Sequence, residues 1–260
     1  ARADGGNGPD HLNEPWAMAL QEARLSTFLA ADRNNTGAID LDNALDAFLS
    51  GSVQDAQAKM NVTTLIANTT IDAAQKARFS RLFDTLGLRQ SELDTLCTGL
   101  LQSQTTTLAP NSNSPVPLKP QRFRQLAWLG LSASTLTTLA PFVTLLPNPS
   151  PINLNTAPVE VIYASVPNID MAQARQAVQR RATTPFLSLE QAALALGISA
   201  NQLQASQHAI SSKAFFVYGR MRLDETTLQE VSLVERLGIQ TKTIWRERVV
   251  LPPAAATPLQ

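Results

Sequence analysis

Between Pro151 and Leu189 the apolar residues recur every three or four positions in two short runs, parted by a proline and a polar turn. Val159, Ile162, Tyr163 and Val166 make the first run, and Pro167 ends it. Pro158 suits the first turn of that helix, where an N–H has no partner, and Asn155 or Thr156 can cap it. Asp170 can cap a second helix with Met171, Ala174 and Val178 as its apolar face and Arg175, Arg180 and Arg181 turned to solvent. Pro185 and Phe186 lead into a third helix, Leu189 to Ala195.

The same spacing predicts further helices upstream. Ala73, Ala77, Phe79, Leu82 and Phe83 share one face of a helix that Gly87 stops, and Leu93, Leu96 and Leu100 are the buried positions of the next. Residues 103–120 carry four prolines and few apolar anchors, which predicts a loop. Helical signals resume with Phe123, Leu126, Trp128 and Leu129, and again with Leu136, Leu139 and Phe142 behind a serine cap. The period changes to two in SKAFFVYGRMRL (212–223), TLQEVSLVERLGI (227–239) and TKTIWRERVVLP (241–252), three strands of an antiparallel meander with turns at Asp224-Glu225 and Gly238. Near the start, Trp16, Leu20 and Leu25 suggest a short amphipathic run, and 53–66 reads as extended. The first ten residues and the tail after Pro252 read as loose. A helical block between a mixed first part and a terminal sheet predicts an α+β domain, 1–70 and 209–260, interrupted by an inserted all-α domain, 71–208.

Composition narrows the function classes. Lysine plus arginine equals aspartate plus glutamate at 21 each, so no global field draws the chain to nucleic acid or an anionic membrane. The single cysteine, Cys97, sits among leucines as a small buried hydrophobe and excludes an internal disulfide. His11 and His208 are the only histidines and lack the spacing of a zinc site. No apolar run is long enough to span a bilayer. The opening ARADGGNGPD, without methionine, reads as the edge of a trimmed or processed form.

The hairpin at 152–187 is the pattern of a helix-hairpin-helix unit, and a nucleic-acid-binding function is the alternative it raises. Such a clamp uses a Gly-hydrophobic-Gly turn whose N–H groups meet a phosphate. Here the turn is Asn168-Ile169-Asp170, which has side chains where hydrogens are needed and a carboxylate where the phosphate would sit. Residues 32–43, DRNNTGAIDLDN, place Asp32, Asn34, Thr36, Gly37, Ile39 and Asp40 as in a calcium loop, but Asn43 replaces the closing bidentate glutamate, so a surface loop is expected. Asp84, Glu92 and Asp94 fall on the solvent faces of their helices, without apolar surroundings to raise a pKa. Ser206 and Ser211 flank His208, but no nucleophile elbow or nearby acid completes a hydrolase.

Several segments taken in order resemble one family, the large minor pseudopilin GspK of the bacterial type II secretion system. HLNEPWA (11–17) is similar to its Leu-Asp-Glu-x-Trp-Ala segment, and VQDAQAKMNVTTL (53–65) to its Asp-x-Gln-Gly-Arg-Phe-Asn-x-Asn-x-Leu strand, with Ala58-Lys59-Met60 in place of Gly-Arg-Phe. FSRLFDTLGL (79–88), LAWLGLS (126–132), LAPFVTLLP (139–147) and above all INLNTAPVEV (152–161) follow. The resemblance implies a pilin-like domain carrying an inserted α-domain with a helix-hairpin-helix-like unit. It also implies a non-enzymatic role in protein export, capping the pseudopilus tip in complex with the minor pseudopilins GspI and GspJ. The expected place is the periplasm of a Gram-negative bacterium, as the periplasmic domain of a single-pass inner-membrane protein. No catalytic, cofactor or metal residue is implied; the acidic calcium loop of some relatives is replaced here by LLQSQTTTLAPNSNSPVP (100–117), which has no carboxylate.

Overall fold

A computed structural model describes residues 8–25, 47–105 and 117–251. The chain forms two compact units, one from its two ends (Ala1–Asp55 and Lys213–Gln260), the other from Ala56–Ser212. The DRNNTGAIDLDN loop and the tail lie outside the described residues.

The first unit is built on a five-stranded antiparallel sheet of β1 (Leu20–Arg24), β2 (Ala47–Asp55), β3 (Ala214–Leu223), β4 (Thr226–Leu237) and β5 (Gln240–Leu251), with neighbours in that order. The last three are the expected meander. Leu233, in the central register between Phe216 and Trp245, is 1% exposed, and the Phe216 and Trp245 rings lie 6.1 Å apart over it. The tight turn between β3 and β4 puts Asp224 at φ +50°, which aspartate tolerates better than most side chains. Trp16 belongs to a single 3-10 turn, Pro15–Ala17, and Leu20 opens β1, so no amphipathic helix joins them. The indole packs edge-on against Phe215 at 5.3 Å and donates to Glu14 at 2.9 Å. Beside it the Arg236 guanidinium grips fully buried Asp10 with two bonds of 2.9 and 2.6 Å. Residues 10–17 are thus fastened to the sheet by a ring contact and a two-pronged ion pair.

The second unit contains α1 (Ala73–Thr85), α2 (Gln90–Thr105), α3 (Ala133–Leu139), α4 (Val159–Ser165), α5 (Met171–Thr183) and α6 (Leu189–Leu196), with a 3-10 segment at Phe123–Leu129. Phe79, Leu82 and Phe83 of α1, Leu93, Leu96, Cys97 and Leu100 of α2, and Leu126, Leu129, Leu139 and Ile162 share one core. Ala73 and Ala77 are exposed; the first turn of α1 overhangs that core, with its cap made by Asp72 accepting from Gln75 at 3.0 Å. The alternation read over 53–66 ends at Asp55. Ala56, Met60, Val62 and Leu65 all turn inward, on two 3-10 turns and the short strand Met60–Asn61 between them, which pairs in parallel with Val143–Thr144, and so belong to the helical unit. Asn61, 3% exposed, holds this segment to 146–150: Oδ1 accepts from Leu146 at 3.1 Å, and Nδ2 donates to the Asn148 carbonyl at 2.8 Å.

The 3-10 segment meets α2 almost backbone to backbone. A Cβ on Gly130, which has φ +92°, would lie 2.5 Å from Thr95 Cγ2, and one on Gly99 would lie 3.1 Å from the Leu129 Cβ. Gly130→Ala therefore adds a steric clash to an unfavourable φ, and it is expected to cost about 2 kcal/mol in urea unfolding, whereas Ala at exposed Gly219, with nothing near its Cβ, stays within about 1 kcal/mol.

Candidate functional site

The most organised polar constellation in the second unit centres on residues 152–157, a stretch without helix or extended sheet that nonetheless runs through the interior. Ile152–Asn153 pairs in parallel with His208–Ala209, which satisfies only its first residues. Beyond them side chains take over. Asn153 Oδ1 accepts from the Asn155 N–H at 2.9 Å, and its Nδ2 donates to Ser212 Oγ at 3.0 Å. Asn155, 2% exposed, exchanges two bonds with the backbone of Phe186, 2.8 and 2.9 Å long, and donates to the Ile210 carbonyl at 3.2 Å. Neither Asn155 nor Thr156 caps α4; Pro158 occupies the cap position, because the Asn155 amide is committed across the fold to Phe186.

Arg181 completes the arrangement. It is 6% exposed, not solvated as its charge suggests, and its two terminal nitrogens donate to the Leu154 and Ala157 carbonyls. None of the ion pairs among the described residues includes it. Burial pushes its pKa down to about 10, so it stays a cation at neutral pH. The fork geometry of a guanidinium is what lets one side chain serve two carbonyls three residues apart. Arg175 and Arg180 are exposed, as expected.

The hairpin turn is capped from within. Asp170 Oδ1 accepts from Gln173 N at 2.7 Å while Gln173 Oε1 accepts from Asp170 N at 2.8 Å, a reciprocal cap that occupies two N–H donors at the start of α5 and sets a carboxylate beside them. Asn168, at φ +59°, takes the left-handed position that glycine fills in a clamp. From α1, Arg81 donates to the Val166 carbonyl at 2.8 Å and lies 4.6 Å over the Tyr163 ring, so the nearest guanidinium faces inward as a brace.

The acid and histidine candidates do not converge. Asp84 and Asp94 are exposed, but Glu92 is not on a solvent face: its carboxylate, 14% exposed, accepts from the Ser132 N–H at 3.1 Å, ahead of α3. Partial burial opposes its charge, yet Ser132, Thr135 and Arg89 together hold the Glu92 pKa below the usual range. Cys97 is buried, and desolvation raises its thiol pKa to about 11, which makes it inert. His208 is fully buried with neither ring nitrogen hydrogen-bonded, so it cannot pass a proton to Ser206 or Ser211. Its pKa is lowered to about 4, first by burial and then by the Arg78 charge.

Arg181→Met strands two buried carbonyls while removing the cost of burying a cation, so urea unfolding is expected to show a loss of roughly 2–4 kcal/mol; Arg181→Lys recovers little, and Arg175→Ala changes stability by less than about 0.5 kcal/mol. For His208 the folded pKa of about 4 lies below the ordinary 6.5, so the unfolded chain takes the proton first as pH falls. Stability is full above 6.5 and declines between 6.5 and 4, by roughly 3 kcal/mol for a gap of this size. Thermal unfolding of His208→Phe is expected to show a flatter profile across that window than the unsubstituted chain.

The network coincides with what the chain shares with known proteins. Two models described as type II secretion system protein K match it, one over residues 58–148 and the other over 152–211. Type II secretion system protein K of Pseudomonas aeruginosa is 23% identical over 252 residues, covering 91% of this chain and 67% of that protein. Among solved structures, a chain of the GspK-GspI-GspJ complex of enterotoxigenic Escherichia coli shares the fold with a TM-score of 0.65 at 18% identity, over 94% of this chain and 88% of that one. With the matched stretches running in order from Ala58 to Ser211 and the fold agreeing along nearly the whole length, the chain belongs to the type II secretion system protein K family.

Proposed function

We propose that this chain is a non-enzymatic minor pseudopilin that caps the periplasmic tip of the pseudopilus, in complex with GspI and GspJ, and takes part in protein export. The observation that carries the reading is the pair of family matches on either side of residue 150, supported by a fold like that of a chain solved together with GspI and GspJ. In this reading the sheet unit is the pilin-like domain, the helical unit is an insertion, and α4 and α5 are its helix-hairpin-helix-like part. The chain acts on the periplasmic side of the inner membrane, held there by an N-terminal helix of the parent protein. Nucleic-acid binding is disfavoured by the reciprocally capped Asp170 turn and the balanced charge.

Assembly of this kind works by surface complementarity, so it is tested by association. Mixed at micromolar concentration with the periplasmic domains of GspI and GspJ from the same bacterium, the chain is expected to elute in size-exclusion chromatography as one equimolar ternary complex. Three separate peaks would contradict the proposal. A low-salt DNA mobility shift that weakens steeply with added salt would restore the nucleic-acid reading.

A further inference from the structure

We propose that the cleft beside Trp128 is a binding site for a neutral saccharide. It is an open depression of about 500 Å³ with Asp94, Thr98 and Gln102 of α2 on one side and Trp128 and Leu129 on the other. Trp128 is 51% exposed although its neighbours in the same turn, Leu126 and Leu129, are buried. The ring stands on a rigid base, because Gly130 lets that turn press against α2 closer than a side chain would allow and Gly99 leaves little room beside Leu129.

Apart from Gln102, which already has a partner, the polar side chains around the indole share one character. Thr95 and Thr98 spend their hydroxyl hydrogens on the Ser91 and Asp94 carbonyls, at 2.8 and 2.9 Å, so what they offer a ligand is acceptor lone pairs. Asp94 adds carboxylate oxygens, but its charge is matched by Lys76 at 2.6 Å, which removes the demand for a cationic ligand. Acceptors beside an exposed aromatic face call for a compact ligand with several donors on its edge and an apolar C–H face. A pyranose ring has both. A proline-rich peptide, the other common occupant of a tryptophan groove, brings mainly carbonyl acceptors and so meets acceptor with acceptor.

The test uses the three indole N–H resonances, Trp16, Trp128 and Trp245, in the ¹⁵N-labelled chain, titrated separately with maltohexaose, cellohexaose and chitohexaose. The expected result is a saturable shift of the Trp128 signal alone with at least one of them, at a Kd of about 1 mM or tighter. Trp128→Ala, followed through backbone amides of α2, is expected to weaken binding more than about tenfold, and Thr98→Val, on an exposed helical position, by about threefold or more. Amide resonances of α1 and α5, in the same unit but away from the cleft, that match those of the unsubstituted chain show that the helical unit keeps its fold in both variants. The proposal is overturned by no saturable shift with any of the three sugars, by binding that survives Trp128→Ala, or by a Trp128 shift produced by a proline decamer and not by the sugars.

Discussion

Irregular backbone in a protein interior must find partners for its peptide groups, and the helical unit satisfies that demand with three side chains. Residues 152–157 enter the core after two residues of parallel pairing, and from there Asn153, Asn155 and Arg181 supply the bonds that a helix or a sheet would otherwise make within itself. The partners are far apart in sequence: Phe186, Ile210 and Ser212 are all drawn to the same segment. Asn61 does the same for the turn before it. A buried asparagine carries donors and acceptor in one planar group, so it can replace a strand neighbour on both sides at once.

The period of the apolar residues was enough to locate the six α-helices among the described residues and the three-stranded meander, because those elements bury one face and leave the other wet. Residue type misled where charge and period disagreed. Ala174, Ala177, Val178 and Arg181 fall at the three, four and seven spacing of a core stripe, which places Arg181 inside α5; residue type argued for solvent, and the period was right. Only its two carbonyl partners make that burial tolerable, and nothing local in the sequence announces them. Glu92 is a similar case, since its partner Ser132 comes from a different helix start. The start of the chain departs from its apparent period for another reason: a proline at the head of a single turn and a leucine in an edge strand imitate helical spacing over so few residues.

The candidate site was legible as a signature but not as a mechanism. The hairpin at 152–187 suggests a grip on something outside the protein, and its turn residues already argue against phosphate. The structure adds that the same residues are turned toward the protein itself: Asp170 and Gln173 cap each other, Arg81 braces the turn, and His208 is sealed without a partner. A subunit recognised by packing needs a scaffold that keeps its shape more than it needs a reactive group, and these contacts are of that kind.

The two ends of the helical unit are held by one short segment. Gln57, next to its entry, donates to the Pro151 carbonyl at 3.0 Å, and Ser212, at its exit, accepts from Asn153 at 3.0 Å. Meanwhile β2 and β3, which precede and follow it in the chain, are adjacent in the sheet, with Asp55 opposite Phe215. Closing a loop of that length unaided is a slow search with an entropic penalty that grows with the chain enclosed. Once the helical unit has gathered its own ends, the strands on either side are as near in the chain as if a hairpin joined them, and the entropic penalty of pairing them falls to that of a short loop.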